Sequence, residues 1–112
     1  GKTTGGLERL SQKDIADIAA SFQSAVVDVL VAKTMLAVQK TGVHTVLVGG
    51  GVAANNQLRS ALSEACHAKG ITLHLAPMKY CTDNGVMVAS LASYHLRAGR
   101  TDSLAVDPRA GM

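Results

Sequence analysis

The stretch LVGGGVAANNQLR, residues 47–59, sets three glycines between an apolar run and the start of a helix-like segment. Glycine loses more backbone freedom on folding than any other residue. Gly49, Gly50 and Gly51 must therefore return something a side chain would prevent, such as a tight turn or the close approach of another backbone or a ligand. At the C-terminal end of a strand, with a helix N-terminus immediately after, unpaired amides and the positive helix end make a seat for a nucleotide or phosphate. A turn in which glycine only permits unusual dihedrals accounts for the same residues. Gly49, Gly51 and Ala54 also satisfy the loose G-x-G-x-x-A pattern of dinucleotide folds. That pattern requires an acidic residue roughly 20 positions on, for the ribose hydroxyls. None stands between Glu64 and Asp83. A NAD-type site is disfavoured, and Lys79 is the residue that would suit a phosphorylated cofactor.

The other chemically capable residues are sparse. Asn55 stands where a helix N-cap belongs, and Asp83 in CTDNG reads on the same grounds as an N-cap or turn aspartate. His44, His67, His74 and His95 include no pair four apart, and structural roles suit them. Cys81, two residues from Asp83, reads as a small buried hydrophobe. Lys79, Arg59, Arg97 and Arg100 are cations that reach RNA or serve as solvated surface charge. No HExxH helix and no nucleophile with a matching base is present.

The elements that must hold these residues follow from periodicity. Residues 1–10 are glycine- and threonine-rich and form a lead-in. Ser11 precedes Asp14 by three residues in a capping pattern, and Ile15, Ile18, Phe22, Val26, Val29 and Leu36 recur near the helical repeat. This predicts one long helix ending near Gly42. Its middle, AVVDVLVAK, is apolar on more than one face, so a second surface should pack on it. HTVLVGG predicts a buried strand at 44–48, Asn55 opens a second helix with the stripe Leu58, Ala61, Leu62 and Ala65, and ITLHLAP is a second strand stopped by Pro77. A third helix follows CTDNG, with Met87, Val88, Leu91, Tyr94 and His95 on one side, and residues 101–112 form a polar tail.

The fold class is therefore α/β, in the order α-β-α-β-α, with two parallel strands joined by a right-handed crossover. Two strands cannot make a parallel sheet that stands alone, because such sheets are covered on both faces and each edge leaves backbone groups unpaired. The chain looks like part of something larger.

Composition sets the surroundings. The chain has 112 residues, 47% of them apolar, enough for a core within at most one domain. The longest uncharged stretch, Thr41 to Leu58, holds no run of about 18 apolar residues, so no membrane span is expected. Neither a secretory leader nor CxxC spacing is seen, so both thiols are expected free in a reducing cytoplasm. A net charge of +3 is compatible with a nucleic-acid partner and common without one.

Three ordered segments, DIAASFQSAVVDVLVAKT, GGGVAANNQLR and PMKYCTDNGVMVA, closely resemble the C-terminal third of the tRNA N6-adenosine threonylcarbamoyltransferase family, known as TsaD or Gcp and formerly labelled O-sialoglycoprotein endopeptidase. The resemblance covers about residues 10–110. It implies an actin-like ATPase (ASKHA) fold of two ribonuclease H-like lobes, of which residues 11–100 would supply the C-terminal part of the second. Family enzymes transfer threonylcarbamoyl from threonylcarbamoyl-adenylate to the exocyclic amine of the adenosine next to the anticodon in ANN-decoding tRNAs, releasing AMP. Gly50 and Gly51 match the turn on which the nucleotide lies, and Asn55 matches the residue that hydrogen-bonds it. Asp83 matches the carboxylate that holds one iron or zinc ion together with two histidines of a first-lobe HxxxH motif absent from this chain. The implied partners are tRNA, the adenylate, and TsaB-like and TsaE-like proteins. The isolated chain is expected to be inactive and to self-associate. The alternatives are a noncatalytic interaction module of the same fold, whose first helix docks a partner, and the metallo-glycopeptidase of the older label.

Overall fold

The computed structural model describes Gly6 and residues 9–107. Most of the lead-in and the last five residues of the tail lie outside them. Helix α1 (Gln12–Thr41) opens on a reciprocal cap: the Ser11 hydroxyl accepts from the Asp14 amide at 3.1 Å, and the Asp14 carboxylate accepts from the Ser11 amide at 3.0 Å. It ends at Gly42, whose φ of 69° is the left-handed conformation that glycine adopts without a Cβ penalty. Strand β1 (Thr45–Val48) follows, then a single 3-10 turn over Gly51–Ala54, helix α2 (Asn56–Ala68), strand β2 (Thr72–Leu75), a second 3-10 turn over Met78–Tyr80, and helix α3 (Gly85–Arg97). The predicted order and element types are those observed, with strands shorter than the apolar runs that announce them.

β1 and β2 pair in parallel, from Thr45 opposite Thr72 to Val48 opposite Leu75. The side-chain period of two gives the sheet two unlike faces. Val46, Val48, Leu73 and Leu75 turn inward and are half-buried, while Thr45, Leu47, Thr72 and His74 are exposed. The core sits between the inner face and the two long helices. Val27 of α1 and Leu58 and Leu62 of α2 are buried together, with Leu30, Val31, Val48, Ala61 and Leu73 packed around them.

Several apolar surfaces have no cover among the described residues. Leu47, on the outer sheet face, is 80% exposed, and Phe22 on α1 is 71% exposed. α3 buries none of its residues, and the side carrying Met87, Val88, Leu91, Tyr94 and His95 is exposed. The radius of gyration is 20.1 Å, against about 13 Å for a compact domain of 100 residues. Amphipathic patterning found these apolar faces, and no described residue covers them.

One expectation needs correction. α1 is long and apolar enough to cross a membrane by length and composition. Asp28 and Lys33 break every uncharged run in it, which is why a search for such runs passes over it, whereas an average over its length does not. A helix covered on two sides inside a larger fold passes the same test. The burial of Val27 and Val38 shows that one side is already used for packing.

Two outcomes are expected. The Asp14 carboxyl is held below its ordinary value of 3.8, first by the Ser11 hydroxyl and then by the Ser11 amide. A lowered native value means that the box contributes its stabilisation above the ordinary value and loses it as pH falls through the lowered one. The Asp14 carboxyl signal followed by NMR should titrate below the ordinary value, with the Ser11 amide shift changing in step; titration at or above it would show that the box does not form in solution. The isolated chain should also gain mass with concentration in sedimentation and bind a hydrophobic dye, because its uncovered apolar faces and free strand edges need partners. A monomer that ignores the dye would contradict the uncovered core.

Candidate functional site

Both candidate loops leave the same end of the sheet. The last rung of the ladder is the Ala76 amide donating to the Val48 carbonyl at 2.9 Å. Beyond it, one chain enters the glycine turn and the other the segment leading to Asp83.

The three glycines have different reasons for being there. Gly50 has φ 88° and ψ 172°, a conformation that residues with a Cβ rarely adopt, and it launches the 3-10 turn through its carbonyl, which accepts from Ala53 N at 3.0 Å. Gly49 and Gly51 have ordinary φ. A Cβ on Gly49 would meet Ala76 Cβ at 3.7 Å, an ordinary contact, and one on Gly51 would meet open space. Folding requires glycine at position 50 alone, so the bareness of Gly51 exposes backbone on the open side of the turn.

Asn55 is the N-cap of α2, its Oδ1 accepting from Leu58 N at 2.9 Å. Its Nδ2 donates to Gln23 Oε1 at 2.8 Å, and Gln23 Nε2 in turn donates to Gln57 Oε1 at 2.6 Å. This amide chain ties α1 to the start of α2 and fixes which way the Asn55 amide points. An amide has two donor hydrogens and two acceptor lone pairs. Asn55 therefore keeps one of each for a ligand while capping, and the two roles do not compete. An apolar groove of about 330 Å³ opens beside it, lined by Phe22, Val26, Val52 and Leu58 among others.

Asp83 is exposed and is not the cap of α3. Asn84 takes that place: its Oδ1 accepts from Met87 N at 3.0 Å while its Nδ2 donates to the Thr82 carbonyl at 2.8 Å. The cap-or-turn reading of Asp83 thus gives way to a turn position, because its neighbour has the shape to span the corner. No hydrogen bond to the Asp83 side chain occurs among the described residues, and nowhere among them do three His, Cys, Asp or Glu side chains come together as a metal site. Among the described residues, therefore, Asp83 has no companion ligand beside it, and a metal held there would need its other ligands from elsewhere.

The structure also brings in residues that sequence reasoning misplaced. Arg59, read as a surface or RNA-facing cation, is half-buried, and its Nη1 donates to the carbonyls of Ala53 at 2.8 Å and Ala76 at 3.1 Å. The one available signal was its position in the first turn of a helix, where the macrodipole disfavours a cation unless something else holds it. Cys81 is buried as expected, at 2% exposure, with its sulfur 3.6 Å from the carbonyls of Ala76 and Pro77. Cys66 is buried and free too. The four histidines are exposed and lie apart from this loop pair, apart from His74 on the outer sheet face. Lys79 stacks over the Tyr80 ring at 4.8 Å.

Comparison with known proteins shows the family of the chain. A sequence model described as TsaD, tRNA N6-adenosine threonylcarbamoyltransferase, matches residues 3–90. The chain belongs to this family. It is 51% identical over 85 residues to the tRNA N6-adenosine threonylcarbamoyltransferase of Paracidovorax citrulli (strain AAC00-1), an alignment covering 76% of this chain and 24% of that protein. Against the proteins of the same name from Polaromonas naphthalenivorans (strain CJ2) and Sorangium cellulosum (strain So ce56), identity is 48% and 45% over 94 residues, covering 84% of this chain and 26% of each relative. The chain spans about a quarter of the length of these relatives. The uncovered faces of α1, α3 and the sheet agree with that, since a TsaD segment of this size holds only part of a lobe.

The glycine turn offers a direct check. Gly50→Ala should cost about 1–2 kcal/mol, because it forces a Cβ into positive φ. Gly51→Ala, placed in open space, should stay within about 0.5 kcal/mol of the parent. Urea unfolding of the two variants followed by circular dichroism makes the comparison. Equal costs would mean that the turn is not built as described.

Proposed function

We propose that this TsaD segment supplies the nucleotide turn and one metal-binding carboxylate to an enzyme that transfers threonylcarbamoyl from threonylcarbamoyl-adenylate to the exocyclic amine of the adenosine next to the anticodon in ANN-decoding tRNAs. The observation that carries the reading is the departure of both matching loops, Gly50–Asn55 and Cys81–Asp83, from one end of the β1–β2 ladder in a chain 51% identical to a named transferase. The open backbone at Gly50 and Gly51 would support the adenosine, and the spare donor and acceptor of Asn55 would orient it. Asp83 would hold an iron or zinc ion shared with two histidines of the absent lobe; such an ion, when bound, supplies positive charge against anionic oxygens at the reacting group.

The turn alone gives one wall of a site, and a covering lobe is needed to exclude water. The isolated chain is therefore inactive in this reading. Its setting is cytoplasmic, its substrate partner tRNA, and its protein partners TsaB-like and TsaE-like chains, with α1 a lobe helix and not a membrane anchor. The exposed apolar faces of α1 and α3 favour a second reading, a noncatalytic module that docks a partner through them. Asp83 separates the two, because docking has no use for it. The peptidase of the older label finds no nucleophile-base pair and no HExxH helix in this sequence.

The test is Asp83→Asn in a full-length enzyme carrying this segment, with metal content, transfer to tRNA and thermal stability measured together. Because Asn84 caps α3, the melting temperature of the metal-free protein should hardly move. Metal retention and transfer should fall by roughly 10- to 100-fold or more. Full metal occupancy with near-normal transfer would sink the ligand assignment, whereas a parent enzyme that transfers nothing at all would leave the docking module.

A further inference from the structure

We infer that Arg59 is a positioning residue which locks the nucleotide turn and the Asp83 loop at a fixed separation. Its guanidinium donates to Ala53 O, the carbonyl inside the glycine turn, at 2.8 Å and to Ala76 O, the first carbonyl beyond β2, at 3.1 Å, both from the same Nη1. The two acceptors belong to different loops and lie 23 residues apart in sequence, so the arginine closes a link that no local hydrogen bond makes.

The surroundings show that the link is built in. Ala76 gives its amide to Val48 as the last rung of the ladder, and its carbonyl has no further strand residue to pair with. Arg59 takes the place of the next rung, and the Cys81 thiol approaches the same carbonyl at 3.6 Å. Ala53 and Cys81, on either side of the guanidinium, are each 2% exposed, and Cys81 Sγ lies 4.0 Å from Nη1. A charged donor with little competing water makes a stronger and more directional bond than a neutral one. Arg59 is itself anchored, since its amide donates to the Asn55 carbonyl at 3.1 Å and closes the first turn of α2. The glycine turn and the loop to Asp83 are thereby referred to one side chain, whose own backbone is fixed at the cap residue. Lysine, a point charge on a flexible stem, cannot reproduce that geometry.

The catalytic consequence rests on the transferase reading above, and the structural one does not, so the test has two arms. Arg59→Lys and Arg59→Met are made in this chain, and amide exchange is followed at Ala53 and Asn55 in one loop and at Ala76, Tyr80 and Cys81 in the other. Both sets should exchange roughly tenfold faster or more in the variants, together, while the amides of α1 keep their protection. Acceleration in one loop only, or no acceleration, overturns the link. If Arg59→Met loses protection everywhere, Arg59→Lys gives the reading, and uniform loss in both variants also overturns it by making Arg59 a general stability residue. In a full-length enzyme carrying the segment, with rates scaled to folded protein, kcat should fall roughly 10- to 100-fold because small misplacements of reacting groups are costly, with KM for the adenylate changed little. A raised KM at unchanged kcat would mean that Arg59 touches substrate directly and would overturn the positioning role, as would unchanged kinetics beside loosened loops. An unsubstituted enzyme that transfers nothing to tRNA would defeat the transferase reading while leaving the exchange result standing.

Discussion

The rung between Ala76 and Val48 is the point from which both functional loops are measured. Four residues of parallel pairing hold the register of β1 against β2, and each inward side chain, Val46, Val48, Leu73 and Leu75, depends on that register to face α2. A slip of β1 by one residue would turn Val46 and Val48 outward and carry Leu47 inward, and the same slip of β2 would carry His74 into the core. It would also move Gly50 relative to Asp83. Packing and site geometry are thus set by the same few hydrogen bonds, and the buried cluster of Val27, Leu58 and Leu62 is what keeps α1 and α2 pressed on the strands that make them.

A parallel sheet is ordinarily covered on both faces. This one has its inner face covered and its outer face open, and α3 extends from it without burying a residue. The site loops are consequently anchored from one side only, through Ala53, Cys81 and the guanidinium between them. That arrangement suits a two-lobed enzyme, because the surface left bare around Gly51 is the surface a second lobe and a nucleotide would share. The same openness leaves the isolated segment poor at excluding water, which is why the transferase reading proposed above needs a covering lobe.

What the sequence made legible were features with local causes. Ser11 with Asp14, Gly42 and Asn55 each mark a helix end through contacts within four residues, and all three stand where capping rules place them. The strand, helix, strand order was equally clear from period and length. Features with distant causes were not. Arg59 carries no mark of the carbonyls it will meet at Ala53 and Ala76, since those become neighbours only once β1 and β2 pair. Gln23 gives no sign in the period of α1 that it will hold Asn55 across 32 residues. The apolar side of α3 was legible from its period, but what covers it was not, since no described residue packs on it.

The corner at Thr82–Gly85 shows how two adjacent cap-competent residues divide two tasks. Either Asp83 or Asn84 has the short polar side chain that a helix start favours. Had Asp83 taken the cap, a carboxylate oxygen would be spent on an α3 amide and its direction fixed by the helix axis. Asn84 does it instead, and its amide also holds the Thr82 carbonyl, so hydrogen bonds grip the backbone on both sides of Asp83. Upstream, Cys81 is buried against the carbonyls of Ala76 and Pro77. The main chain of Asp83 is therefore held between two anchored neighbours while its carboxylate projects into solvent without a partner among the described residues. A solvated turn aspartate needs no partner, so the fold leaves this carboxylate free for either task; the ligand role proposed above would use the same rigid backbone and the same uncommitted oxygen donor.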